Sequence, residues 1–106
     1  LALKPDGAIL AGLDVGVVGA SDTEGIAFEV RAFFPGTHGL AEDPVTGSLN
    51  AALAQWLIGA GLAPTRYVAS QGTALGRAGR VHVEHDGSNI WVGGHCVTCI
   101  SGTVWL

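Results

Sequence analysis

The residues best suited to chemistry stand together in Glu42-Asp43-Pro44-Val45-Thr46-Gly47-Ser48. An acidic pair enters a proline turn, and Thr-Gly-Ser then opens an apolar run that continues to Ile58. A helix starting here leaves its first amide N–H groups without intrahelical acceptors, and the helix dipole adds partial positive charge at the same end. Thr46 or Ser48 is suited to cap that end, and Gly47 lets a ligand come close to the backbone. The chemistry these types support is the binding of a small carboxylate or another anion at Thr46, Gly47 and Ser48. Asp43 is near enough in sequence to share the pocket. Composition and spacing alone favour a plainer reading, a capped core helix with an acidic residue in its entry loop.

A second candidate is Cys96-Val-Thr-Cys99. Cys-x-x-Cys spacing invites a redox or zinc role. The surrounding segment alternates like a strand, however, and residues three apart on a strand face opposite ways. No second cysteine pair completes a tetrahedral site. His82, His85 and His95 have no fixed geometry toward the cysteines, and no metal is expected. His82 and His85 read as surface residues of an alternating strand. Trp91 and Trp105 read as core or interface. Gly76-x-x-Gly79 leads into a strand, not a helix, and so is not a dinucleotide fingerprint.

The elements that must position these residues follow from the same pattern. From Leu49 to Ile58 only Asn50 and Gln55 are polar. A helix apolar almost all round must be buried on nearly all sides. Its expected span is 47–59, with Gly59 and Gly61 as stops and Pro64 beyond them. The rest is β-rich. Strands are expected at 15–20 and 26–34, paired with each other, and at 66–70, 80–85 and 90–92. A last strand is expected at 95–105. Pro35-Gly36 is read as the end of the second strand, which makes 37–45 a loop carrying His38 and Glu42 as pocket or solvated residues. Asp86-Gly87-Ser-Asn89 signals a hairpin turn. Lys4-Pro-Asp-Gly7 is a turn signal, and 8–13 is ambiguous between helix and strand. The expected architecture is α+β: one domain over 1–106, with a mixed or antiparallel sheet curved around one central buried helix.

Composition narrows the function classes. The 106 residues are 48% hydrophobic and only 13% charged, against about 25% charged in a typical soluble domain. Part of the surface is therefore a candidate interface, the alternative being a compact domain with many buried Ala and Gly. Five Lys plus Arg and a net charge of −4 give no basic patch for nucleic acid. No apolar run reaches the length of a membrane span, and no signal-peptide pattern is present. The expected location is cytoplasmic. The start at Leu1 and the lack of Met lead to the expectation that the chain is a piece of something longer or has lost its first residues.

Arg31-Ala-Phe33-Phe-Pro35, Gly39 and the heptapeptide from Glu42 to Ser48 together resemble the signature of the phenazine-biosynthesis (PhzF-like) isomerase family of the diaminopimelate-epimerase superfamily. Ser70-Gln-Gly72, Leu75-Gly-Arg77 and Val92-Gly-Gly94 resemble further landmarks in the family's order. The resemblance covers essentially this whole chain, but only the C-terminal half of a family member. It implies one of two similar half-folds, with the active site in the cleft between them. It also implies a cofactor-independent isomerase or epimerase that moves a proton at carbon in a small carboxylic or amino-acid-like substrate. On that resemblance Asp43 corresponds to the family's active-site aspartate, and Gly47 and Ser48 to its substrate-contacting Gly-Ser. The family's principal acid/base glutamate and its Gly-His-Pro motif belong to the N-terminal half and have no counterpart here. Relatives with two catalytic cysteines place one where this chain has Ser48. The expectation is half an active site, inactive alone. It would be completed by the missing N-terminal half or, in a self-associating half-domain that binds a small acid without catalysis, covered by a second copy in a homo-oligomer.

Overall fold

The computed structural model describes the backbone of residues 2–3, 9–11 and 14–106, and the side chains from residue 15 onward. The turn signal at Lys4 to Gly7 and residues 8, 12 and 13 of the ambiguous 8–13 stretch lie outside the described residues, and Ile9–Ala11 within it is a strand. The elements in order are β1 (Ala2–Leu3), β2 (Ile9–Ala11), β3 (Asp14–Ala20), β4 (Phe28–Gly36), β5 (Gly39–Asp43), α1 (Gly47–Gly59), β6 (Arg66–Gln71), a 3-10 turn (Thr73–Leu75), β7 (Gly79–His85) and β8 (Ile90–Gly93). The sheet runs β1-β2-β3-β4-β6-β7-β8, with β5 added to β4. Every pairing is antiparallel except β4 with β6. This is the expected α+β arrangement, a mixed sheet curved around one helix, as in one half of a diaminopimelate-epimerase-like fold. None of the helices among the described residues is long and apolar enough to cross a membrane.

The helix meets the sheet along Asn50, Leu53, Ala54 and Leu57, all buried. Their spacing of three and four places them on one stripe. Val30, Tyr67, Ala69, Val81 and Val83 meet that stripe from β4, β6 and β7, and Val18, Ile90 and Val92 extend the packing to β3 and β8. The alternation in β7 buries Val81 and Val83 and leaves His82 and Glu84 exposed, as its period of two requires. Phe28 and Tyr67 meet edge to face, 5.2 Å between ring centroids, the arrangement the ring quadrupoles favour. A Cβ at Gly16 would fall 2.4 Å from Leu49 Cδ1, so the Leu49 side chain packs directly on the β3 backbone there. Outside the stripe the covering is thinner than expected. Leu49, Ala51, Ala52, Trp56 and Ile58 are half-buried and Gln55 is exposed.

Three expectations need correction. The 37–45 segment is not a loop throughout. β4 runs on through Pro35 and Gly36, turns at Thr37 and His38, and pairs back with β5, Phe33 opposite Glu42 and Gly36 opposite Gly39. Pro35 is tolerated because the β3 ladder on the other edge of β4 ends at Phe33, so its missing N–H interrupts no bond there. The strand expected at 95–105 is not formed: residues 94–106 carry no regular structure and are exposed. Alternation favours an extended chain, but a strand also needs a partner ladder. Finally, neither Trp91 (60% exposed) nor Trp105 (94%) is in the core. Trp91 lies on the outer face of β8 and donates its indole N–H to Asp86 Oδ2 at 2.8 Å.

Candidate functional site

The β4 strand has one edge taken by β3. Its other edge is shared: β6 runs parallel along Phe28 to Val30, and β5 runs antiparallel along Ala32 to Gly36. Because of their opposite directions, the C-terminal ends of β5 and β6 meet. Asp43 stands opposite Ala32, and Gln71 stands opposite Val30. At this seam the chain leaves the sheet through Pro44 and Val45 and starts α1 at Gly47. The seam thus gathers an acidic residue, a buried amide and a helix N-terminus from three elements.

Strand alternation divides the acidic pair. Glu42 goes to the outer face of the sheet, where Arg31 Nε donates to its Oε1 at 2.8 Å and Arg31 Nη2 to its Oε2 at 2.9 Å. The guanidinium also lies 4.9 Å from the Phe33 ring centroid, within cation–π range. The double hydrogen bond from Arg31, aided by its charge, holds the Glu42 carboxyl below the usual carboxylate range and raises the guanidinium in return. Glu42 is therefore committed to an ion pair away from the seam, and His38 is exposed at the hairpin tip. Asp43 faces the helix side. Thr46 Oγ1 donates to Asp43 Oδ2 at 2.7 Å.

Behind Asp43 lies a buried polar cluster. Gln71 is fully buried and Asn50 is 1% exposed. The Thr46 backbone N–H donates to Gln71 Oε1 at 3.0 Å, and Asn50 Nδ2 donates to the same oxygen at 2.9 Å and to the Thr46 carbonyl at 2.8 Å. Gln71 Nε2 donates to the Asp43 carbonyl at 3.1 Å and to Thr46 Oγ1 at 2.9 Å. Among the described residues every buried side-chain nitrogen and oxygen has a partner, so the cluster carries no desolvation penalty left uncompensated. Two close approaches hold the Pro44 turn against it. A Cβ at Gly72, where φ is +85°, would fall 2.7 Å from the Pro44 carbonyl oxygen. One at Gly79 would fall 2.6 Å from Val45 Cγ2.

The helix start itself is uncapped. Thr46 is the N-cap residue, yet neither its side chain nor that of Ser48 bonds an end N–H. This corrects the expected cap. The Thr46 hydroxyl is already engaged by Asp43 and Gln71, and Ser48 lies exposed on the first turn. Gly47 is exposed, with nothing within 4 Å of where a Cβ would stand. Asp43, Thr46 and Gly47 are thus brought together around one open helix end, with Ser48 beside them. Sequence alone assigned no site role to the anchors: Gln71 stood only within the Ser70-Gln-Gly72 landmark, and Asn50 only as a polar residue of the helix. A lone Asn in an apolar helix was the available signal, since a buried amide needs a partner.

The other candidates lie elsewhere. Cys96 and Cys99 are free and exposed, and because no strand forms there, the opposite-face argument does not apply to them. His82 and His95 meet edge to face at 5.4 Å between centroids. Among the described residues no three His, Cys, Asp or Glu side chains group as a metal site. An open groove lined by Arg66, Val68, His82, Glu84 and Trp91 lies on the outer face of β6 to β8, and Arg66 and Glu84 pair with each other within it at 2.9 Å.

A sequence profile of the family described as phenazine biosynthesis-like protein matches residues 4–102. An uncharacterized isomerase of Pseudomonas aeruginosa is 38% identical over 106 residues, a stretch that covers 99% of this chain and 39% of that protein. The chain therefore spans about two-fifths of that relative's length. No solved structure gives a significant match.

Proposed function

Because the chain belongs to the phenazine biosynthesis-like protein family, we propose that it is a single domain acting as the carboxylate-holding half of a cofactor-independent isomerase, one that moves a proton at carbon in a small carboxylic acid. The observation that carries this reading is the seam, which sets Asp43 and Thr46 beside an uncapped helix start with open space over Gly47. The backbone N–H groups at Gly47 and Ser48 hold the substrate carboxylate, with the Ser48 hydroxyl completing the cradle and Thr46, its backbone N–H bound to Gln71, fixing the turn behind it. Asp43 meets the reacting region and helps move the proton. Proton transfer at carbon needs both a group to remove the proton and a group to return it. Glu42 is bound to Arg31, so among the described residues the seam offers Asp43 as its one free carboxylate, and the second acid/base group comes from another half.

Two measurements test this. Chemical-shift mapping with an aromatic carboxylate is expected to perturb Gly47, Ser48 and Asp43 first; perturbation centred on His95 and Cys96 would overturn the site. Solvent deuterium exchange into a panel of small acids is expected to be absent with this chain alone. Exchange at an enzymatic rate, abolished by Asp43→Ala, would overturn its inactivity.

A second reading concerns assembly. Val97, Ile100, Val104 and Trp105 are between 77% and 94% exposed, and apolar area of this kind favours association. We propose a homo-oligomer for the isolated chain, with two-fold closure as the simplest form. Light scattering giving the mass of one chain would sink it. The two free cysteines fit a reducing compartment such as the cytoplasm.

A further inference from the structure

The hydrogen bonds of the seam have fixed polarity, and the polarity assigns a task to Gln71. Amide nitrogen and oxygen are distinguished by what they face. The Thr46 backbone N–H is only a donor, so the Gln71 atom 3.0 Å from it is the oxygen. The Asp43 backbone carbonyl is only an acceptor, so the Gln71 atom 3.1 Å from it is the NH₂. Backbone groups cannot flip, and the two contacts agree. The same NH₂ stands 2.9 Å from Thr46 Oγ1, which must accept from it. The hydroxyl has one proton, and its remaining close partner is Asp43 Oδ2 at 2.7 Å. The hydroxyl proton is therefore directed onto the carboxylate. Asn50 Nδ2 supplies the second donor to Gln71 Oε1 and stops the amide from turning. None of the hydrogen bonds among the described residues reaches Asp43 Oδ1.

We propose that Gln71 is a positioning residue: it fixes the Thr46 hydroxyl proton on Asp43 Oδ2, so that Asp43 is held in one rotamer with Oδ1 free to accept from a substrate. The inference rests on the reading above in taking Asp43 as the group that meets substrate, and the chain of polarities stands without it. Gly72 contributes by its positive φ, which lets the end of β6 press against the Pro44 carbonyl and seat the amide. Gln71 itself is fully buried and touches no ligand space. Its effect is passed through Thr46.

The test is heteronuclear NMR on the labelled chain. In the wild type, the Thr46 hydroxyl proton is expected to couple across its hydrogen bond to the Asp43 carboxyl carbon, and the Asp43 side-chain three-bond couplings are expected to report one rotamer. Thr46→Ser keeps the hydroxyl and should keep that rotamer, whereas Thr46→Val should average it. Gln71→Met removes the donor at nearly constant volume. It should average Asp43 and speed exchange of the Thr46 hydroxyl proton with water by about tenfold, the equivalent of one lost hydrogen bond. Combined with Thr46→Val, Gln71→Met should change the Asp43 couplings no further, as expected of a residue acting through Thr46. A folded Gln71→Met with Asp43 still fixed would overturn the proposal. If that variant does not fold, a wild-type hydroxyl proton that does not couple to Asp43, or a Thr46→Val variant with unchanged Asp43 couplings, would overturn it equally. Loss of carboxylate binding at Gly47 with these couplings intact would count against the isomerase reading alone.

Discussion

Asp43 and Asp86 are both carboxylates at strand ends, and their surroundings differ in an instructive way. Asp86 sits in the exposed turn between β7 and β8. Its Oδ1 accepts from the Ser88 and Asn89 backbone N–H groups at 2.8 and 2.7 Å, and its Oδ2 accepts from Trp91 Nε1 at 2.8 Å. The Trp91 hydrogen bond and the two backbone bonds lower its pKa to about 2. Both oxygens are spent on holding the hairpin. Among the described residues the Asp43 carboxylate accepts through one oxygen only, and the atoms that fix it lie behind it in a buried cluster. A carboxylate that completes its own turn is a structural fastener. One that is held from behind with an oxygen left over is available to a partner.

The comparison can be broken or sharpened by substitution. The largest effect should come from the core beneath the seam. Leu53→Asp places an unpaired charge at a position 1% exposed and is expected to abolish folding, while Gln55→Asp on the exposed side of the same helix should stay within about 0.5 kcal/mol of the wild type. A soluble Leu53→Asp variant with native circular dichroism would remove the helix from the core.

Next comes the cluster behind Asp43. Gln71→Ala strands the Thr46 N–H, the Asp43 carbonyl and the Asn50 amide, and leaves a cavity. A loss of about 3 kcal/mol is expected from urea unfolding. Gly72→Ala should cost less, about 1–3 kcal/mol, because φ is +85° and the added methyl meets the Pro44 carbonyl. A neutral Gly72→Ala would mean that the end of β6 and the Pro44 turn relax together, relieving both the positive φ and the contact.

The smallest effect belongs to the hairpin. Asp86→Asn should destabilise the chain slightly at pH 7. The folded pKa of Asp86 lies below its unfolded value near 3.8, so its contribution is fully present above that value and fades as pH falls toward about 2. The gap between wild type and Asp86→Asn should close over that window in thermal melts. A gap that stays constant with pH would show that the ionised form contributes nothing.

Much of this was legible in the sequence, for reasons that can be named. The stretch from Leu49 to Ile58, followed by glycines, signalled a helix packed into the core, although only one stripe of it is fully buried, and β7 alternates so regularly that its faces were evident. The heptapeptide from Glu42 to Ser48 marked the candidate site. Three features were hidden because they depend on partners distant in the chain. Pro35-Gly36 looks like a strand end unless one knows that β3 stops at Phe33. Glu42 and Asp43 look like a pair until the β5 register turns them to opposite faces. Gln71 reaches the helix only because a parallel pairing brings β6 to the same edge of β4 as β5. The alternation at 95–105 encoded extension without saying what, if anything, it would pair with.

The shared edge of β4 also sets an order of events. The β4–β5 hairpin closes over Thr37 and His38 alone, whereas Val30 and Gln71 are about 40 residues apart in sequence when they pair. Closing the longer loop costs roughly 3 kcal/mol more chain entropy than closing the hairpin, and non-local pairings of this kind form slowly. In a refolding chain the acid should therefore arrive before the amide that fixes it. Amide protection in pulsed hydrogen exchange should rise in the β4–β5 hairpin ahead of the Val30–Gln71 pairing. The seam would then be the last part to be finished, and the first to loosen whenever β6 lets go.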